Sequence, residues 1–186
     1  KKAERYFDQV VSADPTHVHA WMFKGEIAEA IRGDVDEALR CYDKARESNP
    51  GTIEILRREI DLILRRGKDP ARAYSLGKDL LKVSPKDPVG LHMAAMGAYR
   101  IHSDPQSALN GLNEAIRADP KNAAAIRDKA VVLSEGQNRT EEALNLLNAA
   151  LRNDPDNVEL LSGLGSLYFD HLYNPKEAFA CFDKVA

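Results

Sequence analysis

The side chains of this chain that could do chemistry are five histidines, two cysteines and a scatter of arginines. His17 and His19 stand two residues apart, so they cannot share a helix face, and they read as solvated side chains, not as a metal pair. His92, His102 and His171 stand alone. Cys41 and Cys181 form no CxxC motif; they read as small packing residues, too distant for a disulfide. "GLGSL" at 163–167 lacks the third glycine and preceding strand of a phosphate loop, and its glycines suit close A–B helix packing. Asn138-Arg139-Thr140 is a glycosylation sequon, which matters only in a secreted protein. No catalytic constellation emerges, so the expectation is a non-enzyme with no cofactor and no metal. What remains is recognition. Arg57, Arg58, Arg65, Arg100 and Arg127 carry planar forks that grip carboxylates, beside Tyr99. Met93 and Met96 can add an adaptable apolar patch. The plainer reading is that Asp61 and Asp128 neutralise some of these arginines and that the methionines pack between helices.

The elements that must position these residues recur. Asp14-Pro15, Asn49-Pro50, Ser84-Pro85, Asp119-Pro120 and Asp154-Pro155 follow one another every 35 residues. Pro70, Pro105 and Pro175 keep the interval at a second phase, and Ala3, Ala38, Ala73, Ala108, Ala143 and Ala178 keep it throughout. A large apolar series, Trp21, Leu56, Leu91, Ile126 and Leu161, does the same. Between these marks the apolar spacing is helical: Ala38, Leu39, Tyr42 and Ala45 fall on one stripe.

Each unit therefore holds two helices, A and B. Asp69, Asp104 and Asn174 precede prolines that open B helices, and Asp34 with Glu37 and Asn174 with Glu177 have capping-box spacing. Thr52, Asp87, Asn122 and Asn157 are the expected N-caps of A helices, with Pro88 as an N1 proline. The count is eleven helices: a partial repeat at 1–15, then repeats at 16–50, 51–85, 86–120, 121–155 and 156–186. Such hairpins bury their apolar faces only by stacking. The expected class is one all-α domain, a right-handed superhelical solenoid of antiparallel helix hairpins.

Hydrophobic residues make up 44% and net charge is -3, enough for a core and too acidic for a broad nucleic-acid field. No apolar run approaches the ~20 residues that span a bilayer. The two lone cysteines favour a reducing compartment, and a cytoplasmic location is expected.

The pattern resembles the tetratricopeptide repeat, W-x2-L-G-x2-Y, A-x3-F, P. The last unit supplies Leu161, Leu164, Gly165, Tyr168, Ala178 and Phe182; the second supplies Trp21, Gly25, Ala38, Tyr42, Ala45 and Pro50, departing at Lys24 and Ala28. The period is 35 where the family's is 34, and the extra residue is expected in the A–B turn. The resemblance implies a concave groove lined by A helices that binds a peptide segment or partner protein, as a scaffold or adaptor. Counted from Trp21, its candidate lining includes Arg57, Arg58, Asp61, Arg65, His92, Met93, Met96, Tyr99, Arg100 and Arg127. Carboxylate capture of the chaperone type is disfavoured, since Met22 and Glu26 stand where it needs Lys and Asn. The alternatives are single-stranded RNA binding by 35-residue pentatricopeptide-like repeats, or a regulatory repeat segment of a larger enzyme. Lys1 falls inside a B helix and Ala186 falls short of the next proline, so a fragment of a longer protein is expected. Phe179, Phe182 and Val185 at the last helix suggest further repeats or self-association.

Overall fold

A computed structural model describes residues 2–66 and 69–185. Among them the regular elements are α1 (Lys2–Ala13), α2 (Val18–Ile27), α3 (Val35–Ser48), α4 (Ile53–Arg66), α5 (Pro70–Val83), α6 (Pro88–His102), α7 (Pro105–Ala118), α8 (Ala123–Val131), α9 (Thr140–Leu151), α10 (Val158–Asp170) and α11 (Pro175–Asp183). α2 and α8 run on into π turns, Ala28–Arg32 and Val132–Gly136. The chain divides into two compact units, 1–84 and 85–186. In the first, α2 pairs with α3 and α4 with α5, and α1 packs on α2 as the B helix of a partial repeat. In the second, α6 pairs with α7, α8 with α9 and α10 with α11. The all-α class and its hairpin repeat are as the 35-residue period implies. Lys1 and Ala186, on which the reading of the ends turned, lie outside the described residues.

The A-to-B junction is built the same way four times. Gly33, Ser103, Asn138 and Tyr173 take left-handed backbone, with φ of 66°, 53°, 54° and 50°. The next residue then points its N–H back six residues: Asp34 to Ala28 O (2.9 Å), Asp104 to Ala98 O (3.0 Å), Arg139 to Leu133 O (2.8 Å) and Asn174 to Tyr168 O (2.9 Å). This satisfies carbonyls that helix A leaves open. The same residue opens helix B with its side chain. Asp34 accepts from Glu37 N–H at 3.0 Å, Asp104 from Ser107 at 3.0 Å and Asn174 from Glu177 at 3.3 Å. Asp69 accepts from Arg72 N–H at 3.1 Å. Arg139 has no acceptor to offer, and α9 starts without a side-chain cap.

Two expectations change. The capping box at Asp34 is half made, because the Glu37 carboxylate turns to Arg40 at 2.8 Å. The π turns that end α2 and α8 each hold one residue more than an α turn, but α6 and α10 reach the same junction register without one. His17 is not simply solvated: its Nδ1 accepts from Ala20 N–H at 3.2 Å, capping α2 from the register position that Asp87, Asn122 and Asn157 hold elsewhere.

Between A and B the packing is close. Ala38, Ala73, Ala108 and Ala143 are wholly buried, and Ala178 nearly so. A methyl group on Gly25 would stand 2.7 Å from the buried Tyr42 ring, and one on Gly165 would stand 2.5 Å from the Phe182 ring. Those distances are inside van der Waals contact, so a side chain at Gly25 would have to displace the buried Tyr42 ring, and one at Gly165 the Phe182 ring. Trp21 is half-buried, and its indole N–H donates to Pro15 O at 2.8 Å. Lys24, standing where the repeat pattern has leucine, pairs with Asp8 of α1 at 2.7 Å. Tyr168 is half-buried, and Pro50 is exposed at its turn.

One buried charge cluster ties three helices of the first unit. Glu59 of α4 has no exposure; Arg72 of α5 hydrogen-bonds it and reaches Asp43 of α3 at 2.8 Å. Asp43 also pairs with Arg46 at 2.7 Å. Burial pushes the Glu59 carboxyl above its ordinary value, and the Arg72 hydrogen bond offsets that only in part. Removing Arg72 leaves the buried Glu59 carboxylate only the more distant Arg46, 3.4 Å away, whereas replacing both leaves Asp43 and Arg46 to pair. Arg72→Ala should therefore lower stability by about 3–5 kcal/mol, while Glu59→Leu with Arg72→Met costs clearly less, both read from urea denaturation. At the junctions, Ser103→Gly should stabilise by about 0.5–1 kcal/mol, because serine strains at positive φ, and Gly33→Ala should destabilise by a similar amount.

Candidate functional site

The A helices of the second unit meet along one face. Residues separated by 36 in sequence touch there. His92 Nε2 lies 2.7 Å from Asp128 Oδ2, and the Tyr99 hydroxyl donates to Glu135 at 3.2 Å. Arg100 approaches Glu135 at 3.5 Å and lies over the Tyr99 ring, 5.0 Å from its centroid. In the first unit the same offset joins Arg65 to Glu29 at 2.6 Å. The offset is one repeat plus one residue, the step by which neighbouring A helices interdigitate.

The expected arginine strip is thus laced with carboxylates. Arg58 pairs with Glu26 at 2.8 Å and Glu54 at 3.1 Å. Arg65 pairs with Glu29 and with Asp61 at 2.7 Å. Arg127 donates to Asp128 at 2.9 Å and lies 3.9 Å from Glu159. Arg57 also has an electrostatic or hydrogen-bond partner of its own. Arg57, Arg58, Asp61 and Arg65 belong to the first unit, and Tyr99, Arg100 and Arg127 to the second. The apolar-patch expectation is corrected: Met93, Met96 and His92 are all buried, at 2%, 4% and 4% exposure. His92 is bonded to Asp128 of α8, and the three side chains present no surface to a partner.

What the second unit does offer is a recess of about 130 Å³ between α8 and α10. Gly163 forms part of its floor, and a methyl group there would stand 2.7 Å from Arg127 Cγ. That glycine therefore admits the Arg127 stem from the neighbouring A helix; the A–B role expected of the "GLGSL" glycines belongs to Gly165 alone. Ser162 and Ser166 line one wall, with Ser166 exposed, and Glu135 and Asp170 stand on the rim. These four were not among the sequence candidates. The signal was available: Arg65, Arg100, Glu135 and Asp170 are successive members of one 35-residue series.

Titration is shaped by this packing. Burial pushes the Asp128 carboxyl up, but the His92 hydrogen bond and the Arg127 charge outweigh burial and hold it below its ordinary value of 3.8. Burial pushes the Cys41 thiol up to about 11, so it stays protonated and unreactive near neutrality. Cys41 and Cys181 are both free and buried. Among the described residues, no three His, Cys, Asp or Glu side chains stand together as a metal-ligand set, and no helix is long and apolar enough to cross a membrane.

Comparison with known proteins agrees with this architecture. Residues 1–53 match a family model described as tetratricopeptide repeat, and residues 137–171 match one described as TPR repeat. A 56-residue stretch, 30% of the chain, is 43% identical to the TPR repeat-containing protein MJ0941 of Methanocaldococcus jannaschii and spans 16% of that relative's length. By fold the chain is similar to a tetratricopeptide repeat protein from Parabacteroides merdae, with a TM-score of 0.76 and 20% identity over 98% of this chain and 70% of that one. It is also similar to YrrB, described as a TPR protein with an unusual peptide-binding site, with a TM-score of 0.62 and 17% identity over 96% and 90% of the two chains.

A depressed folded-state pKa adds stability that is complete above the unfolded value and disappears as pH falls through the folded one. Asp128 should therefore contribute fully at neutral pH and lose its contribution on acidification below 3.8. Asp128→Asn should lower stability at pH 7 and flatten the acid side of the pH–stability curve, measured by thermal unfolding.

Proposed function

Because the chain belongs to the tetratricopeptide-repeat family, whose architecture is in general a non-catalytic protein-interaction scaffold, we propose that its second unit holds an extended segment of a partner protein along the recess between α8 and α10. The observation that carries this reading is the recess itself: a small-residue floor at Gly163, two serine hydroxyls on one helix wall and charged rims on both sides. Ser162 and Ser166 stand four residues apart and face the same way, spaced to hydrogen-bond an extended backbone. Arg127 lines it, and Tyr99 and Arg100 hold its Glu135 rim. In the first unit, Arg58 and Arg65 act mainly as inter-helix pairs with Glu26 and Glu29. The peptide-binding site named for YrrB adds support by analogy of fold.

RNA binding is the weaker reading, because it needs phosphate neutralisation and the arginines named above already face carboxylates. A role as the interaction segment of a larger assembly is compatible with the scaffold reading and needs no chemistry from this chain. Peptide arrays probed with the intact chain test the groove. Spots retained by the wild type should be lost with Ser166→Trp, which fills the exposed wall, and kept with Asn113→Trp, an exposed α7 position outside the recess. Loss with Asn113→Trp and retention with Ser166→Trp would place binding elsewhere.

A further inference from the structure

Resting on the groove reading above, we infer that the segment held between α8 and α10 is basic, with a lysine or arginine side chain entering the recess between Glu135 and Asp170. The argument starts from the register. Position by position, the series that runs Arg65, Arg100, Glu135, Asp170 changes sign within the chain. In the second unit the change occurs at the recess: Glu135 and Asp170 line its rim, one from each side of the α8–α10 pair.

The surrounding charges point the same way. Arg127 is held by Asp128 at 2.9 Å, with Glu159 beyond at 3.9 Å. Arg100 is turned to Glu135 at 3.5 Å, an open distance for an ion pair. Asp170 is exposed, and no ion pair is formed by it among the described residues. The ionisable side chains that line the recess are thus the carboxylates Glu135 and Asp170, the guanidinium of Arg127, which is engaged by Asp128, and the imidazole of His171. An incoming carboxylate would meet like charge at both rims; an incoming cation would find Asp170 unpaired and Glu135 held by the Tyr99 hydroxyl at 3.2 Å and by Arg100 at 3.5 Å. Lysine and arginine also suit the shape, since an apolar stem can lie along Ala130, Val131 and Leu167 while the charged head reaches the rim. The recess, about 130 Å³, has the volume of roughly four liquid waters, enough for one such side chain.

A display library of short random peptides, selected against the intact chain, supplies the probe. The selected sequences should be enriched in lysine or arginine. Fluorescence anisotropy of those peptides should show affinity reduced about tenfold, roughly 1.4 kcal/mol, by Glu135→Gln with Asp170→Asn, and reduced further at high salt. Both substitutions are at exposed positions, and circular dichroism would show the helices retained. Selected peptides that are acidic or uncharged, and that Ser166→Trp displaces, would overturn the basic specificity while leaving the groove in place. Peptides of any composition indifferent to Ser166→Trp, or a selection that yields no binder, would overturn the groove reading and this inference together.

Discussion

Asp34 closes one helix with its backbone N–H and opens the next with a side-chain oxygen, and Asp104 and Asn174 do the same at their junctions. Two helices joined through a single residue have little freedom in their relative angle. The left-handed residue just before fixes the reversal, and the six-residue back-bond fixes where helix A must end. With the hairpin so defined, Gly25 can meet Tyr42 and Gly165 can meet Phe182 at distances that a larger residue could keep only by displacing the ring. The buried alanine series follows from that closeness: a bulkier side chain at Ala38 or Ala108 has nowhere to go.

The hairpin was legible in the sequence because its determinants are local. Proline at the start of α5, α7 and α11, an Asp or Asn before it, and an apolar stripe of helical period all act within a few residues of where they stand. Where the local reading failed, a neighbour had intervened. Glu37 has the spacing of a capping-box partner, yet Arg40 one turn later competes for its carboxylate. His17 offers no familiar capping signature, but an imidazole nitrogen can accept as a carboxylate does, and the register placed it where a cap was needed.

The recess was far less legible. An arginine in a sequence is a free cation until its partner is known, and here the partners of Arg58 and Arg65 come from the preceding A helix, 32 and 36 residues upstream. Counting a face from Trp21 identified which side chains look along the A helices; it did not reveal that Met93 and Met96 turn inward. Burial of that kind is a property of the folded chain and not of the local sequence. Glu135 and Asp170 lay one and two steps further along the same count, and the periodicity that defined the fold also contained the sign reversal at the rim.

The junction is indifferent to how helix A ends. α2 and α8 widen into π turns and α6 and α10 do not, yet each is followed by the left-handed residue and the six-residue back-bond at the same register position. Irregularity in the last turn of helix A is thereby confined to that turn of backbone, and the interdigitating faces on either side keep one common step along the array.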